Sequence, residues 1–272
     1  MCRSCFAMAA AVLAVGVVRA APAGATPTVT ASAPERVLDL DHGCKLAIDA
    51  KLDPKDAVTR EIESDVRQVM SRVQALIPAY DLTIHVALSD ASTKSSIVPQ
   101  IGVGGHPVGT DAVWMYMDPG NPNFKPQSVG WGLPHEIHHA IRLRMPGWHW
   151  SLLESMVMEG LADHFLVEVV GGEPGPWDRS LTEEQIHEQL IRVKPLLRLN
   201  VASYPAFVET YEKPWLFGRS GTDPIPHWTG YTLGWRIVEN YLRAHPDARA
   251  STLVQTSSKV IADATPEIRD VK

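Results

Sequence analysis

The first half of the chain shows both helical and strand-like spacing of its apolar residues. Apolar positions at intervals of three and four residues predict a helix over residues 54–77. Apolar and polar residues alternate over residues 82–88 and 112–117, which predicts two strands, and shorter alternating runs within residues 37–52 predict another. The glycine-rich stretch 101–105 lacks the fingerprint of a nucleotide-binding loop, so we predict a turn that leads into the strand at 112–117.

The second half of the chain opens with a clear helix signal. Ser151 and Glu154 have the spacing of a capping box, and an apolar periodic run follows them. Two glycines at 171–172 end that run, as glycines commonly do at the C-terminus of a helix. The pattern predicts a helix over residues 152–170.

The remaining C-terminal sequence also favours helices. A helix is predicted after the cap-like residues 180–183, with an interruption near Pro195. Apolar periodicity predicts another helix over residues 231–244 and a shorter one near 251–261. Residues 204–226 are rich in Pro, Gly and aromatic residues and are predicted to form an ordered loop.

A short helix that carries several histidines is predicted between these two halves. Pro134 has no N–H, and proline is best tolerated in the first turn of a helix. The helix is therefore predicted to begin at about Pro134 and to end near Arg144, before the breakers at 145–147. This start would place His135 close to the helix N-terminus.

The sequence of this helix contains a candidate metal site. Residues four apart lie on the same face of a helix, so His135 and His139 can both bind one ion. Glu136 lies beside them and can accept a proton from metal-bound water. Two histidines and a glutamate in the pattern H-E-x-x-H are typical of zinc hydrolases. His138 could compete as a ligand, but this choice would displace Glu136 from its role, so we interpret His138 as a neighbour of the site.

The helix predicted over 152–170 supplies a candidate third ligand. Glu159 follows His139 by twenty residues, and Asp163 follows Glu159 by one helical turn. Glu154 is interpreted as occupied at the helix start by the capping box, which leaves Glu159 as the ligand. Asp163 is placed to bind the second ring nitrogen of a ligand histidine. The candidate zinc ligands are therefore His135, His139 and Glu159, for one Zn²⁺ per chain.

A hydrolase also needs a donor for the oxyanion that develops on the substrate. Tyr231 at the start of a predicted helix is the first candidate, and His227 in the preceding loop is the second. His149 is a weaker alternative. Ordinary packing or surface exposure also explains each of these residues, so the choice stays open between Tyr231 and His227.

At these residues the chain resembles the gluzincin metallopeptidases, which carry H-E-x-x-H and, about twenty residues later, a Glu. Thermolysin-type enzymes have an Asn before that Glu, whereas Met158 occupies this position here. The chain is more similar to a bacterial family of predicted Zn-dependent proteases of otherwise unknown function. The similar motifs are found at residues 135–140, 159–165 and 230–242, and the resemblance covers about residues 55–262. It implies a zincin-like fold, zinc as cofactor and a peptide or protein as substrate.

The N-terminus is typical of a secretory signal peptide. Arg3 supplies a positive charge, residues 6–18 are apolar, and small residues at 23–25 provide a cleavage site, with an alternative at 18–20. The apolar run is short for a membrane span, which needs about 20 residues. The sequence thus predicts a signal peptide at 1–25 and an exported, periplasmic or extracellular protein; retention of this segment as an anchor is the alternative.

Cysteine content and charge narrow the function further. Cys44 would be the only cysteine of the mature chain, which excludes an intramolecular disulfide and a cysteine-rich zinc ribbon. The net charge is −6 and the chain has no long basic run, so nucleic acid is not expected as a partner.

The combined pattern predicts an α+β, zincin-like fold. A flexible lead-in at 26–35 precedes one domain at 36–272, which is mixed α+β to about residue 127 and mostly helical afterwards. The strand at 112–117 is interpreted as an edge strand of a small N-terminal sheet, either purely structural or able to bind substrate backbone by strand addition.

The predicted function is peptide hydrolysis by an exported zinc metallopeptidase in which Glu136 assists the attack of zinc-bound water. Two alternatives stay open: a non-catalytic, zinc-stabilised binding protein, and a zinc hydrolase that acts on a non-peptide amide or ester.

Overall fold

The computed structural model describes residues 35–90, 98–199 and 204–269. The predicted signal peptide at 1–25 lies outside these residues, as does the predicted lead-in apart from Glu35. Within the described residues, no helix is both long enough and apolar enough to cross a membrane. A mixed sheet comes first and a mainly helical part follows it, which confirms the predicted α+β class.

Five strands of the described chain form one sheet. They are β1 (Glu35–Asp39), β2 (Lys45–Asp49), β3 (Thr83–Leu88), β4 (Val103–Val108) and β5 (Ala112–Met117), in the spatial order β1-β2-β3-β5-β4. The two outer pairs, β1 with β2 and β4 with β5, are antiparallel, whereas β3 is parallel to both its neighbours. The strands predicted at 82–88 and 112–117 are confirmed. Residues 37–52 contain two strands, because the chain reverses at His42 and Gly43, which both have positive φ.

The helices of the described chain are, in order, α1 (Ala57–Leu76), α2 (Val98–Ile101), α3 (Gln127–Arg142), α4 (Leu152–Val170), α5 (Glu183–Val193), α6 (Tyr204–Phe207), α7 (Lys213–Phe217), α8 (Thr229–Ala244) and α9 (Ser258–Ala262). Short 3-10 turns lie at Pro176–Arg179, Lys194–Leu196 and Ala250–Leu253. The helices predicted at 54–77, 152–170 and 231–244 are confirmed. Thr182 caps α5, which ends before Pro195 as predicted.

The predicted late start of the histidine helix is wrong. Helix α3 begins at Gln127, so Pro134 lies inside it and His135 lies near its middle. Pro134 lacks the N–H that would bond the carbonyl of Gly130. Val129 and Leu133, in the turn before Pro134, are completely buried. Burial of this turn therefore keeps the helix intact, and the loss of one backbone hydrogen bond does not end it.

The predicted turn at residues 101–105 is also wrong, because β4 begins at Val103. Gly102, with a φ of 76°, makes the turn between α2 and β4. Gly105 faces α3 so closely that a Cβ atom there would lie 2.7 Å from Cγ of Glu136. Gly102 thus lets the chain turn into β4, and Gly105 lets α3 pack close to that strand.

The edge of the sheet beside α3 is formed by a different strand from the one predicted. Strand β5 (Ala112–Met117) lies between β3 and β4, so residues 112–117 are interior and β4 is the edge strand. Strand β4 is antiparallel to β5, and α3 packs against both strands. The prediction failed because the pairing of β5 on both sides depends on β4, which the sequence did not indicate.

The predicted loop at 204–226 is largely helical. Helices α6 and α7 are joined by a π-helical turn at Val208–Glu212. Phe207, Trp215 and Leu216 are buried in one cluster with residues of α8. Pro, Gly and aromatic content indicates a loop when a segment is judged alone, but here aromatic burial organises the segment into short helices.

Helix α4 lies between two hydrophobic cores. Its Phe165 and Val169 pack with the sheet, α1 and α3, whereas Leu152, Met156 and Leu161 pack with α5 and α8. This explains why α4 is apolar on nearly all sides, since a helix that is buried all round needs no polar face. The polar side chains Glu154, Ser155, Glu159 and Asp163 on α4 are therefore buried as well, whereas His164 and Glu168 nearer its C-terminus are half-buried.

Helices α4 and α8 cross at two glycines. A Cβ atom on Gly160 would overlap the carbonyl group of Gly234, and one on Gly234 would overlap the carbonyl oxygen of Met156. The two backbones are thus in direct contact, which only glycine permits at this crossing. No side-chain rotation can relieve a clash with backbone atoms.

We expect Gly160→Ala and Gly234→Ala to destabilise the protein by about 1–3 kcal/mol or more, because each added methyl group forces the helices apart. Chemical unfolding monitored by circular dichroism measures the change. Gly132→Ala in α3 is the control, since its Cβ atom would meet only the terminal methyl group of Met115, at 3.3 Å. Equal stability of Gly160→Ala and the control would contradict the close helix crossing.

Candidate metal centre and active site

Three side-chain atoms from α3 and α4 converge on one point. His135 and His139 lie one turn apart on α3, and their rings are 4.4 Å apart in a T-shaped arrangement. Oε2 of Glu159, on α4, lies 3.2 Å from Nε2 of His135 and 3.4 Å from Nε2 of His139. The three predicted zinc ligands are therefore brought together by two helices that pack side by side.

The spacing of these atoms fits a tetrahedral zinc site. Ligands at about 2.0–2.1 Å from an ion at the centre of a tetrahedron are separated by about 3.3–3.4 Å. The two distances from Glu159 match this separation. Its Oε2 is buried and has no hydrogen-bond partner among the described residues, so it can accept a bond from an ion. Two imidazoles and a carboxylate are also the donors that Zn²⁺ prefers.

The charge balance of the three groups also favours a cation. Burial alone would lower the pKa of His135, but Asp163, Glu159 and Glu136 raise it well above its usual value. Burial alone would raise the pKa of Glu159, but the two neighbouring imidazoles lower it below its usual range. The raised pKa of His135 shows that the surrounding carboxylates stabilise positive charge, and the lowered pKa of Glu159 keeps this side chain an anion that can bind a cation.

Asp163 binds the ring nitrogen of His135 that faces away from Glu159, as the sequence analysis predicted. Its Oδ1 lies 2.6 Å from Nδ1 of His135, and its Oδ2 accepts the indole N–H of Trp177 at 3.0 Å. A histidine that donates Nδ1–H to a carboxylate presents Nε2 with a free lone pair. Asp163 therefore fixes the orientation and the tautomer in which His135 faces Glu159.

Asp178 supports Asp163 in turn, a role that the sequence did not indicate. Its Oδ2 accepts the backbone N–H of Gly175 at 2.9 Å, while its buried Oδ1 finds no donor among the described residues. Burial and the neighbouring charge of Asp163 raise the pKa of Asp178 to about 10. At neutral pH Asp178 is therefore an uncharged acid that donates its proton to Asp163. No spacing rule links residues 163 and 178, because a loop brings them together.

Glu136 lies beside the two histidines and against Gly105 of the edge strand. It is half-buried, and together with His135 and His139 it offers ligand-type atoms within 4.8 Å of one another. Burial raises the pKa of Glu136, while the two imidazoles partly oppose that rise. A carboxylate with a raised pKa is a better proton acceptor near neutral pH than an ordinary glutamate.

Of the candidate oxyanion donors, the structure brings only Tyr231 to the predicted ligands. Tyr231 is buried in the first turn of α8, and its phenol lies close enough to the carboxylate of Glu159 to interact with it electrostatically. Burial and the nearby carboxylates raise its pKa well above 10, so the phenol keeps its proton. His227 instead contacts the carbonyl oxygen of Phe217 through Nδ1 at 2.6 Å, and His149 is exposed near Gly147.

His138 faces away from the site, as its interpretation as a non-ligand requires. It is completely buried, and its ring packs against Phe165 of α4 at 5.4 Å. Burial, and then the charge of Arg142, lowers the pKa of His138 well below its usual value, so the ring is neutral. His138 therefore contributes to the packing of α3 on α4.

The capping-box interpretation of Glu154 is only half right. Ser151 does cap α4, because its hydroxyl accepts the N–H of Glu154 at 3.1 Å. The carboxylate of Glu154, however, accepts a bond from Nε of the completely buried Arg142 at 2.6 Å. Arg142 also donates to the carbonyl oxygens of Val254 and Thr256. Because its guanidinium is buried, it needs a buried anion as partner, and no sequence pattern indicated that Glu154 supplies it.

Comparison with known proteins agrees with this geometry. A model of the family described as predicted Zn-dependent protease (DUF2268) matches residues 62–263. A search of curated proteins finds no match. The family match covers α3, α4 and α8, the helices that carry the converging residues.

We expect the purified protein to hold about one Zn²⁺ per chain, and His135→Ala, His139→Ala and Glu159→Ala each to lose it. Asp163→Ala should keep the three ligands but weaken zinc affinity by about 10–100-fold, because His135 is no longer oriented. Elemental analysis after dialysis and competition with a chelating dye measure both effects. The exposed His149→Ala is the control and should keep its zinc. Full zinc occupancy in Glu159→Ala would contradict the assignment of the third ligand.

The proton on Asp178 predicts a pH dependence of stability. An unfolded aspartate loses its proton near pH 3.9, whereas folded Asp178 keeps its proton up to about pH 10. Between these values the folded state binds one proton more, so this group makes the free energy of unfolding fall as pH rises. Asn at this position cannot titrate but can still donate an N–H to Asp163. Asp178→Asn should therefore gain stability relative to the wild type as pH rises.

Urea unfolding of both proteins at about pH 5, 7 and 9 measures this difference. Asp178→Ala is the comparison variant: it also lacks the titrating group, so we expect its pH profile to run parallel to that of Asp178→Asn, but about 1–3 kcal/mol lower because buried partners are left without their hydrogen bonds. Parallel pH profiles of the wild type and Asp178→Asn would show that Asp178 does not hold the proton.

Proposed function

The chain belongs to the family of predicted Zn-dependent proteases, and we propose that it is an exported peptidase that hydrolyses peptide bonds with one zinc ion. The observation that carries the proposal is the convergence of Nε2 of His135, Nε2 of His139 and Oε2 of Glu159, with separations from Glu159 of 3.2 and 3.4 Å. Three protein ligands leave one tetrahedral position open, which is typical of catalytic rather than structural zinc sites. Export is included because residues 1–25 have the pattern of a signal peptide.

Glu136 is the proposed general base. A bound zinc ion supplies Lewis-acid activation of a water molecule and of the substrate carbonyl. Glu136 accepts the proton that the attacking water loses and then delivers it to the leaving amine. Its half-buried position beside both histidines, and its raised pKa, support this role.

Tyr231 is the proposed donor to the oxyanion. The phenol keeps its proton and lies near the carboxylate of Glu159. An O–H that donates to the developing negative charge stabilises the transition state more than the ground state. Phe217 and Trp228 pack against the ring of Tyr231, with centroids at 5.9 and 5.2 Å, and hold it in place.

Strand β4 is the proposed binding edge for the substrate backbone. It is the edge strand beside α3, so an extended peptide can pair with it by strand addition. Gly105 on this strand lies against Glu136, which brings a paired peptide close to the proposed base. Pairing with the substrate backbone, which the sequence suggested for residues 112–117, is therefore proposed for Val103–Val108 instead.

We expect Glu136→Gln to retain zinc and thermal stability but to lose at least about 10²-fold in turnover, because Gln keeps the shape of the side chain and cannot accept the proton. Tyr231→Phe should show a smaller loss, mainly in kcat. Cleavage of a peptide library by the zinc-loaded proteins, with and without chelator, measures these effects. Glu184→Gln, on the exposed surface of α5, is the matched control. Near-normal hydrolysis by Glu136→Gln would refute this mechanism.

A further inference from the structure

One carboxylate near the site has no part in the chemistry described so far. Glu212 ends the π-helical turn Val208–Glu212, between α6 and α7. Pro214, two residues after Glu212, has no N–H and cannot donate the hydrogen bond of a regular helical turn. The backbone is wider here, and the N–H of Lys213 bonds the carbonyl of Val208, five residues earlier. Such π-helical turns are rare and frequently occur at functional sites.

The side chain of Glu212 is hydrogen-bonded to α4, the helix that carries Glu159. Its Oε1 accepts a hydrogen bond from Oγ of Ser155 at 2.7 Å. Ser155 lies on α4 one turn before Glu159, so the two residues share a face of the helix. Burial raises the pKa of Glu212, and the negative charge of Glu159 raises it further. The carboxylate of Glu212 is thus within electrostatic range of the proposed metal ligands.

No cation of the described chain forms an ion pair with Glu212, although the charge of Lys213 acts on it from a longer distance. Among the described residues, none of the Lys, Arg and His side chains forms an ion pair with it. The neighbouring Lys213 pairs with Glu209 instead. Glu212 is half-buried, so solvent and a ligand can reach it. A partly buried carboxylate whose partner is a neutral hydroxyl is a favourable site for a cationic group of a ligand.

We propose that Glu212 binds the free α-ammonium group of the peptide substrate, so that the enzyme removes residues from the N-terminus. This inference rests on the proposed peptidase function. Residues one helical turn apart have Cβ atoms about 5–6 Å apart, which applies to Ser155 and Glu159. An extended peptide advances about 3.3–3.6 Å per residue. Because Oε1 of Glu212 lies 2.7 Å from Oγ of Ser155, we expect a cation held at Glu212 to lie about one or two residues from a peptide bond held beside Glu159.

The test compares two peptides that differ only in acetylation of the N-terminus. The zinc-loaded wild type should cleave the free-amine peptide at least about 10-fold more efficiently, as expected for one charge-assisted hydrogen bond. Glu212→Gln keeps the oxygen that accepts from Ser155 and loses the charge. It should lose this preference through a higher KM for the free-amine peptide, with kcat/KM for the acetylated peptide unchanged. Glu209→Gln, on the exposed side of the same turn, is the control and should behave as the wild type.

Binding of the same two peptides is measured in the zinc-loaded Glu136→Gln background, where the peptides are not consumed. The free-amine peptide should bind at least about 10-fold more tightly than the acetylated one, and adding Glu212→Gln should abolish the difference. Thermal unfolding checks that each variant is folded.

Several results would overturn the inference. Equal cleavage and binding of both peptides by the wild type, or an unchanged preference in Glu212→Gln, would exclude recognition of the α-ammonium while leaving the peptidase function intact. A preference for a lysine beside the cleaved bond that Glu212→Gln removes would assign Glu212 to a side chain of the substrate. Zinc-loaded wild type that neither cleaves nor binds any peptide would reject the peptidase function together with the inference.

Discussion

The contact between α4 and α8 determines the geometry of the site. Gly160 and Gly234 bring the two backbones together without intervening side chains. Glu159 is the neighbour of Gly160, and Tyr231 lies about one turn before Gly234, so the same crossing places the phenol of Tyr231 near the carboxylate of Glu159. A contact between backbones cannot be adjusted by side-chain rotation. The positions of Glu159 and Tyr231, which lie beside this contact, are therefore fixed by the backbone.

Around this contact the protein buries several acidic groups at low net charge. Asp178 is neutral because it keeps its proton, and that proton is shared with Asp163. Asp163 is balanced by the raised proton affinity of His135, and Glu159 lies between two imidazoles. Buried charges are costly unless each has a partner. In this arrangement a proton and a bound metal ion would stabilise the same acidic pocket, so the two would compete and metal affinity would fall as pH falls.

The sequence predicted those parts of the structure that depend on local spacing. The strands at 82–88 and 112–117 and the helix at 152–170 follow apolar periodicity, and the contact of Asp163 with His135 follows helical spacing. The failures have tertiary causes. Pro134 does not start α3, because burial of the preceding turn outweighs one lost hydrogen bond. Glu154 does not complete the capping box, because a buried arginine from another helix takes its carboxylate. Such partners have no fixed separation along the chain, so periodicity cannot find them.

The two predicted histidine ligands are held very differently. His135 is fixed from behind by Asp163, whereas Nδ1 of His139 is buried and has no hydrogen-bond partner among the described residues. The protein therefore specifies the tautomer of His135 and leaves that of His139 to be chosen by whatever binds Nε2. Asp163 thus holds His135 in one orientation toward Glu159, whereas the ring of His139 is positioned by packing. The candidate site therefore combines one histidine whose two ring nitrogens have assigned roles with another whose tautomer would follow from the group that binds it.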